Sequence, residues 1–328
     1  MVSAGALVVA PLAESAIASR VFPGCAIGVI QGAHTGVHIF GRETYESEAR
    51  AVTETSLYDC ASLTKSVVTA SIALKLIDTK KLSLDDQLVT FVPEYATRFR
   101  DEVLIRHLLT YTLGNSLPLS RAGSTPEEIF QNVCREDTKP PGTVFNYSNT
   151  PAFLLGVVIE RISGRTLDAV ARSEVFEPTG MSSATFSPHA AVPSEEGVCD
   201  VPHDECARIF AREGRAVGHA GLFATIPDLL AFMSHLYAYP DDRICTNQIA
   251  HLGESVALGW ELDRPWMGES RSPKTFGKTG FTGCSIVGSF ERNHALVILS
   301  NRTYPKRPET RRSIDLFRSA ACDITNSI

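Results

Sequence analysis

Strand-like sequence lies at both ends of this chain, and helical sequence fills the space between them. Residues 24–41, GCAIGVIQGAHTGVHIFG, alternate β-favouring residues around a Gly-containing turn, which predicts a hairpin. β character returns after Pro240 in GKTGFTGCSIVGSF and HALVILSN, before a helix-like close in RRSIDLFRSAACDI. Between these ends, LSLDDQL, IRHLLTYT, TPEEIFQNV, PAFLLGVVIERISG and TIPDLLAFMSHLYAY give helical signals broken by Pro and Gly. Distant strands that must share a sheet predict one α/β (α+β) domain: an antiparallel sheet from both termini, flanked by helices. That domain is expected to be discontinuous, residues 1–61 plus 241–328. A mainly helical domain, residues 62–240, is inserted in it, with an active site in the cleft between the two.

Composition narrows the partners. At 328 residues, 44% apolar and 21% charged, the chain can bury a substantial core. Its charge, 31 − 37 = −6, and the lack of a long basic run give no electrostatic case for nucleic acid or an anionic membrane. The most basic stretch, NRTYPKRPETRR, reads as solvated surface. No segment approaches 18 uninterrupted apolar residues. The N-terminal ALVVA run lacks a preceding Lys or Arg, and residues 5–20 read as an amphipathic helix leading into a strand rather than as a signal peptide. Eight scattered cysteines without a C-x-x-C motif suggest free thiols in a reducing compartment, so a cytoplasmic location is expected.

Three short motifs carry the chemistry. In CASLTKSVV, Ser62 and Lys65 stand three residues apart at a helix start, so hydroxyl and amine share a face. Backbone N–H groups at such a start favour developing anions, although serine is also a common helix cap. In PPGTVFNYSNTPAFLLG, Tyr147 and Asn149 lie on a loop before a helix that Thr150 can cap and Pro151 can open. A tyrosine beside lysines is acidified toward the range of a general base, and Asn149 can donate to a substrate carbonyl. In FGKTGFTGCSI, Lys278, Thr279 and Gly280 sit on a strand edge suited to close backbone approach. Lys278 and the Thr279 hydroxyl there can hold a substrate carboxylate. The Phe281 N–H can share an oxyanion hole with the Ser62 N–H. Each motif is weak alone; in this order, with 82 residues from Lys65 to Tyr147 and 129 from Asn149 to Lys278, they are jointly specific.

With these motifs the chain resembles the serine β-lactamase and penicillin-binding-protein superfamily, in the branch of class C β-lactamases, DD-peptidases and family VIII carboxylesterases. The likeness extends through FPGCAIGVI, KLSLDDQL, IRHLLTYT, LLGVVIERISG, EPTGM, GHAGLFATIPDL and ILSNRTYP. It implies a β-lactamase/transpeptidase-like fold. Ser62 would be acylated, Lys65 and Tyr147 would activate it and later a water, and Asn149 would orient the acyl side chain. No metal or organic cofactor is expected.

The implied function is a serine hydrolase forming an acyl-enzyme on a small ester, β-lactam or amide, with or without a carboxylate, and with carboxylesterase activity. The alternatives are a peptidoglycan-fragment amidase or DD-peptidase, and a penicillin-binding sensor that acylates without turnover. The chain departs from the pattern at Tyr111, where relatives carry histidine, and at Pro151, where they often carry a small residue. Lys278 stands where near relatives with GHTGFTG have histidine. Cys199, His203 and Cys206 are too few for a zinc site. The His203-Asp204-Glu205 loop is expected near the cleft without an assigned role, and His219 is expected to be structural.

Overall fold

The computed structural model describes residues 4–326. Six strands form one antiparallel sheet: β1 (Gly24–Gln31), β2 (His34–Gly41), β5 (Glu261–Leu262), β6 (Phe276–Thr279), β7 (Ser285–Ser289) and β8 (His294–Ser300), in the order β2-β1-β8-β7-β6-β5. Both ends of the chain thus supply the sheet, and the bond between them is the β1–β8 ladder, with Cys25 opposite Ser300 and Ile27 opposite Ile298. Alternation along β1 assigns its two faces. Cys25 and Ile27 pack with Phe22, Ile314 and Phe317 beneath the terminal helices Ala4–Ala18 and Arg312–Asn326. Ala26 and Ile30 join Leu230, Met233 and the large core on the other side. A sheet covered on both faces explains why β8 is buried along its whole length. Each such Leu or Ile contributes about 1.5–3 kcal/mol when removed from water.

A second ladder, β3 (Tyr58–Asp59) with β4 (Phe223–Ala224), ties the segment before Ser62 to the loop that follows His219. The Cys60 N–H donates to the Leu222 carbonyl at 2.8 Å and extends that tie. Beyond Ser62 the chain winds as a wide, π-type turn over Lys65–Ala70 before the α-helix Ser71–Asp78. The helix Thr150–Ser163 packs against this region through glycines: a Cβ on Gly218 would lie 2.1 Å from the Ala152 carbonyl oxygen. Only glycine lets the loop carrying His219 approach that helix. Among the described residues no helix is long and apolar enough to cross a membrane, and all eight cysteines are free thiols.

Candidate active site

Ser62 follows a backbone turn held by one buried carboxylate. Asp59 accepts the Ala61 N–H at 2.8 Å through one oxygen and the His203 N–H at 2.6 Å through the other. Burial pushes the Asp59 carboxyl up to about 6, although both N–H bonds pull the other way. Ala61 has φ +46°, a left-handed conformation that disfavours a residue with a Cβ by about 1–2 kcal/mol. Such strain persists where surrounding bonds over-determine the backbone, as Asp59 and the Thr64 hydroxyl, which donates to the Ala61 carbonyl at 2.7 Å, do here.

Lys65 is buried, and its Nζ donates to Ser62 Oγ at 2.8 Å and to the His219 carbonyl at 2.8 Å. Burial holds its amine below the ordinary lysine range. An amine so depressed, in contact with a hydroxyl, can take that hydroxyl's proton. The His219 carbonyl is fixed in turn, because His219 Nε2 lies 3.0 Å from Asp204 Oδ1.

Tyr147 lines the same cleft, with its ring 3.9 Å from Lys278 Nζ and 5.6 Å from Lys65 Nζ. Burial works to raise its phenol, but the Lys278 and Lys65 charges more than offset this and hold it down at about 8. Its hydroxyl also interacts with Ser62 and Lys65, although the well-formed hydrogen bond of the site is the one between those two residues. Tyr147 as a whole is 40% exposed at the cleft mouth, where solvent screens part of the lysine field. Behind it lies Tyr111, buried and at φ +58°, with ring centres 5.0 Å apart.

Asn149 occupies the cap position of the helix Thr150–Ser163 but does not cap it. Its Nδ2 donates to Asp204 Oδ2 at 3.1 Å instead. Thr150, expected as the cap, makes no side-chain hydrogen bond, because the helix begins at this residue rather than after it. Asp204 in turn caps the helix Glu205–Ala211 by accepting the Ala207 N–H at 2.9 Å. His219 first, then the Ala207 N–H and the Lys65 charge, hold its carboxyl well below the usual range despite burial.

On the opposite wall, Gly280 lets the end of β6 pass the turn that carries Ser62, since a Cβ there would lie 2.5 Å from the Cys60 carbonyl oxygen. The buried Arg318 clamps this turn by donating to the carbonyls of Gly280 at 3.3 Å and Cys284 at 2.8 Å. Phe281 follows, exposed in the cleft, and among the described residues neither its N–H nor that of Ser62 has a hydrogen-bond partner. Two free donors on residues that line one cleft of about 460 Å³ suit a developing oxyanion.

Lys278 and Thr279, expected to present a cation and a hydroxyl to substrate, already have partners. Lys278 Nζ is 2.6 Å from Glu261 Oε1 and its side chain has no exposed surface. Arg311 donates to the Thr279 hydroxyl at 3.0 Å. The NRTYPKRPETRR stretch is exposed from Pro305 onward, as expected, but its first residues turn inward. Arg302 is buried and donates to the Phe281 carbonyl at 2.9 Å, and Arg307 lines the cleft, paired with Glu195 at 2.6 Å. Where the segment leaves β8 it passes the Phe281 turn, which draws Arg302 inward and leaves the later arginines exposed.

The family described as Beta-lactamase matches residues 9–319 of this sequence. The chain belongs to the beta-lactamase family. Its class is therefore a hydrolase of the beta-lactamase fold. A protein of Escherichia coli (strain K12) named "Putative D-alanyl-D-alanine carboxypeptidase" is 26% identical over 342 residues, covering 87% of this chain and 77% of the relative. Among solved structures, EstCE1, a hydrolase with promiscuous acyltransferase activity, superposes with a TM-score of 0.80 at 18% identity, over 97% of this chain and 98% of its own. The octameric penicillin-binding protein homologue from Pyrococcus abyssi gives 0.73 at 24% identity, over 89% and 72%. At these identities the two structures speak for the fold.

Within this beta-lactamase-family site, residues absent from the three motifs complete the arrangement: Glu261, Asp204, Tyr111 and the His219 carbonyl. His219 enters through its backbone, which no sequence pattern reports. Asp204, Cys206 and His219 bring possible metal-ligating atoms within 4.8 Å of one another. The first and last are committed to each other, however, and burial holds the Cys206 thiol protonated.

Proposed function

We propose that this chain is a serine hydrolase that forms an acyl-enzyme on Ser62 from a small ester or amide. The observation that carries this reading is the 2.8 Å contact of Lys65 Nζ with Ser62 Oγ, beside a tyrosine whose phenol is lowered by two lysines. Ser62 Oγ attacks the substrate carbonyl carbon while its proton passes to the Lys65–Tyr147 pair. The negative oxygen is received by the Ser62 and Phe281 N–H groups. Collapse breaks the bond to the leaving group, which takes the proton, and a water activated by the same pair releases the acid. Asn149, held by Asp204, presents its remaining N–H to an acyl carbonyl.

A peptide substrate is the second reading, favoured by the carboxypeptidase names of the sequence relatives. A chromogenic cephalosporin, p-nitrophenyl acyl esters and D-Ala-D-Ala peptides, each followed by intact-mass analysis, separate the readings. Turnover of the esters supports the esterase-type hydrolase, and release of D-alanine supports the peptidase. A persistent adduct without turnover would replace both with a sensor.

A further inference from the structure

Glu261 belongs to no motif, yet it stands on β5 opposite Gly277, the residue before Lys278 on β6. Its Oε1 lies 2.6 Å from Lys278 Nζ, with side-chain exposures of 16% and 0%. The same Nζ is 3.9 Å from the centre of the Tyr147 ring and 5.4 Å from that of Tyr111. An ammonium enclosed by a carboxylate and two phenol rings has little room for a substrate anion. We propose that Glu261 is a positioning residue that keeps Lys278 charged and aimed at Tyr147, so that Lys278 acts on the base rather than reading a substrate carboxylate. This inference rests on the assignment of Tyr147 to proton transfer made above.

The charges around the pair are few. Tyr147 faces Lys278, Lys65, Glu261, Tyr111 and Ser62, and Lys278 faces Glu261, Tyr147, Tyr111 and the like-charged Lys65. Glu261 feels Lys278 first and then, more weakly, Arg264 and Arg311. Burial works against the Lys278 ammonium, and the Glu261 carboxylate holds it protonated well above the ordinary range. Without Glu261 a fully buried ammonium loses its main counter-charge and tends to give up its proton. Tyr147 then loses the larger of the two cationic fields that offset its own burial, and its phenol rises.

The test is the pH dependence of kcat/KM on p-nitrophenyl butyrate. In Glu261→Gln the acid limb should move up by at least about one pH unit, lowering activity at pH 7 about tenfold through kcat rather than KM. Glu261→Asp should keep the wild-type limb. Should the unpaired lysine of Glu261→Gln prevent folding, Glu261→Gln/Lys278→Met removes both charges, and its limb should match that of Lys278→Met. Lys278→Met should lower hydrolysis of p-nitrophenyl butyrate and p-nitrophenyl hemisuccinate by the same factor. An unmoved limb in the single and double variants, or a Lys278→Met loss confined to the hemisuccinate, overturns the inference while a Ser62 adduct leaves the hydrolase reading standing. A wild type with neither adduct nor acid limb removes both.

Discussion

Asn149 and Asp204, 55 residues apart in sequence, share a hydrogen bond of 3.1 Å across the cleft. Asp204 gives its other oxygen to His219, whose carbonyl receives Lys65. One carboxylate thus fixes both the amide proposed to orient the acyl group and the loop that holds the amine against Ser62. Asp204→Ala should lower kcat/KM by about ten- to a hundred-fold, the equivalent of a charge-assisted hydrogen bond of about 1.5–3 kcal/mol. Asp204→Asn, which can still accept one bond, should retain more activity. Wild-type kcat/KM in a folded Asp204→Ala protein would show that Asn149 and Lys65 hold their positions without it.

The pH profile follows from Tyr147. Its phenol is lowered from about 10 to about 8, so the phenolate proposed as base exists above that value and is lost as the solution is acidified. Hydrolysis should therefore rise from acid through neutral pH and level off above about 8. Tyr147→Phe should abolish this limb and lower kcat by about a hundred- to ten-thousand-fold with little change in KM. A profile flat from pH 6 to 9 in the wild type would assign the proton to Lys65 alone.

The fold was legible because its signals are local. Alternating β-favouring residues in 24–41, a continuous apolar run in 294–300, and apolar spacing in 150–163 and 226–238 report strands and helices directly. The motif residues were legible through their order, and the fold brings Ser62, Lys65, Tyr147, Asn149, Lys278 and Phe281 to one cleft region. What stayed hidden are contacts across long separations. Lys65 meets the carbonyl of His219, 154 residues away, and Lys278 meets Glu261 on a strand of two residues, too short to show a period. Arg302 misleads for the same reason. Its charge predicts solvent, as it does correctly for Arg307 and Arg311, whereas the path of the segment past Phe281 turns Arg302 inward.

The central claim is that Ser62 carries the acyl group. Wild-type protein and Ser62→Ala are each mixed with a p-nitrophenyl ester or a slowly released β-lactam, quenched in acid, and read by intact mass and peptide mapping. The account predicts one acyl increment on the peptide containing Ser62 in the wild type. In folded Ser62→Ala it predicts no increment and hydrolysis reduced to background. Wild-type hydrolysis by Ser62→Ala, or an adduct mapped to another residue, would contradict it.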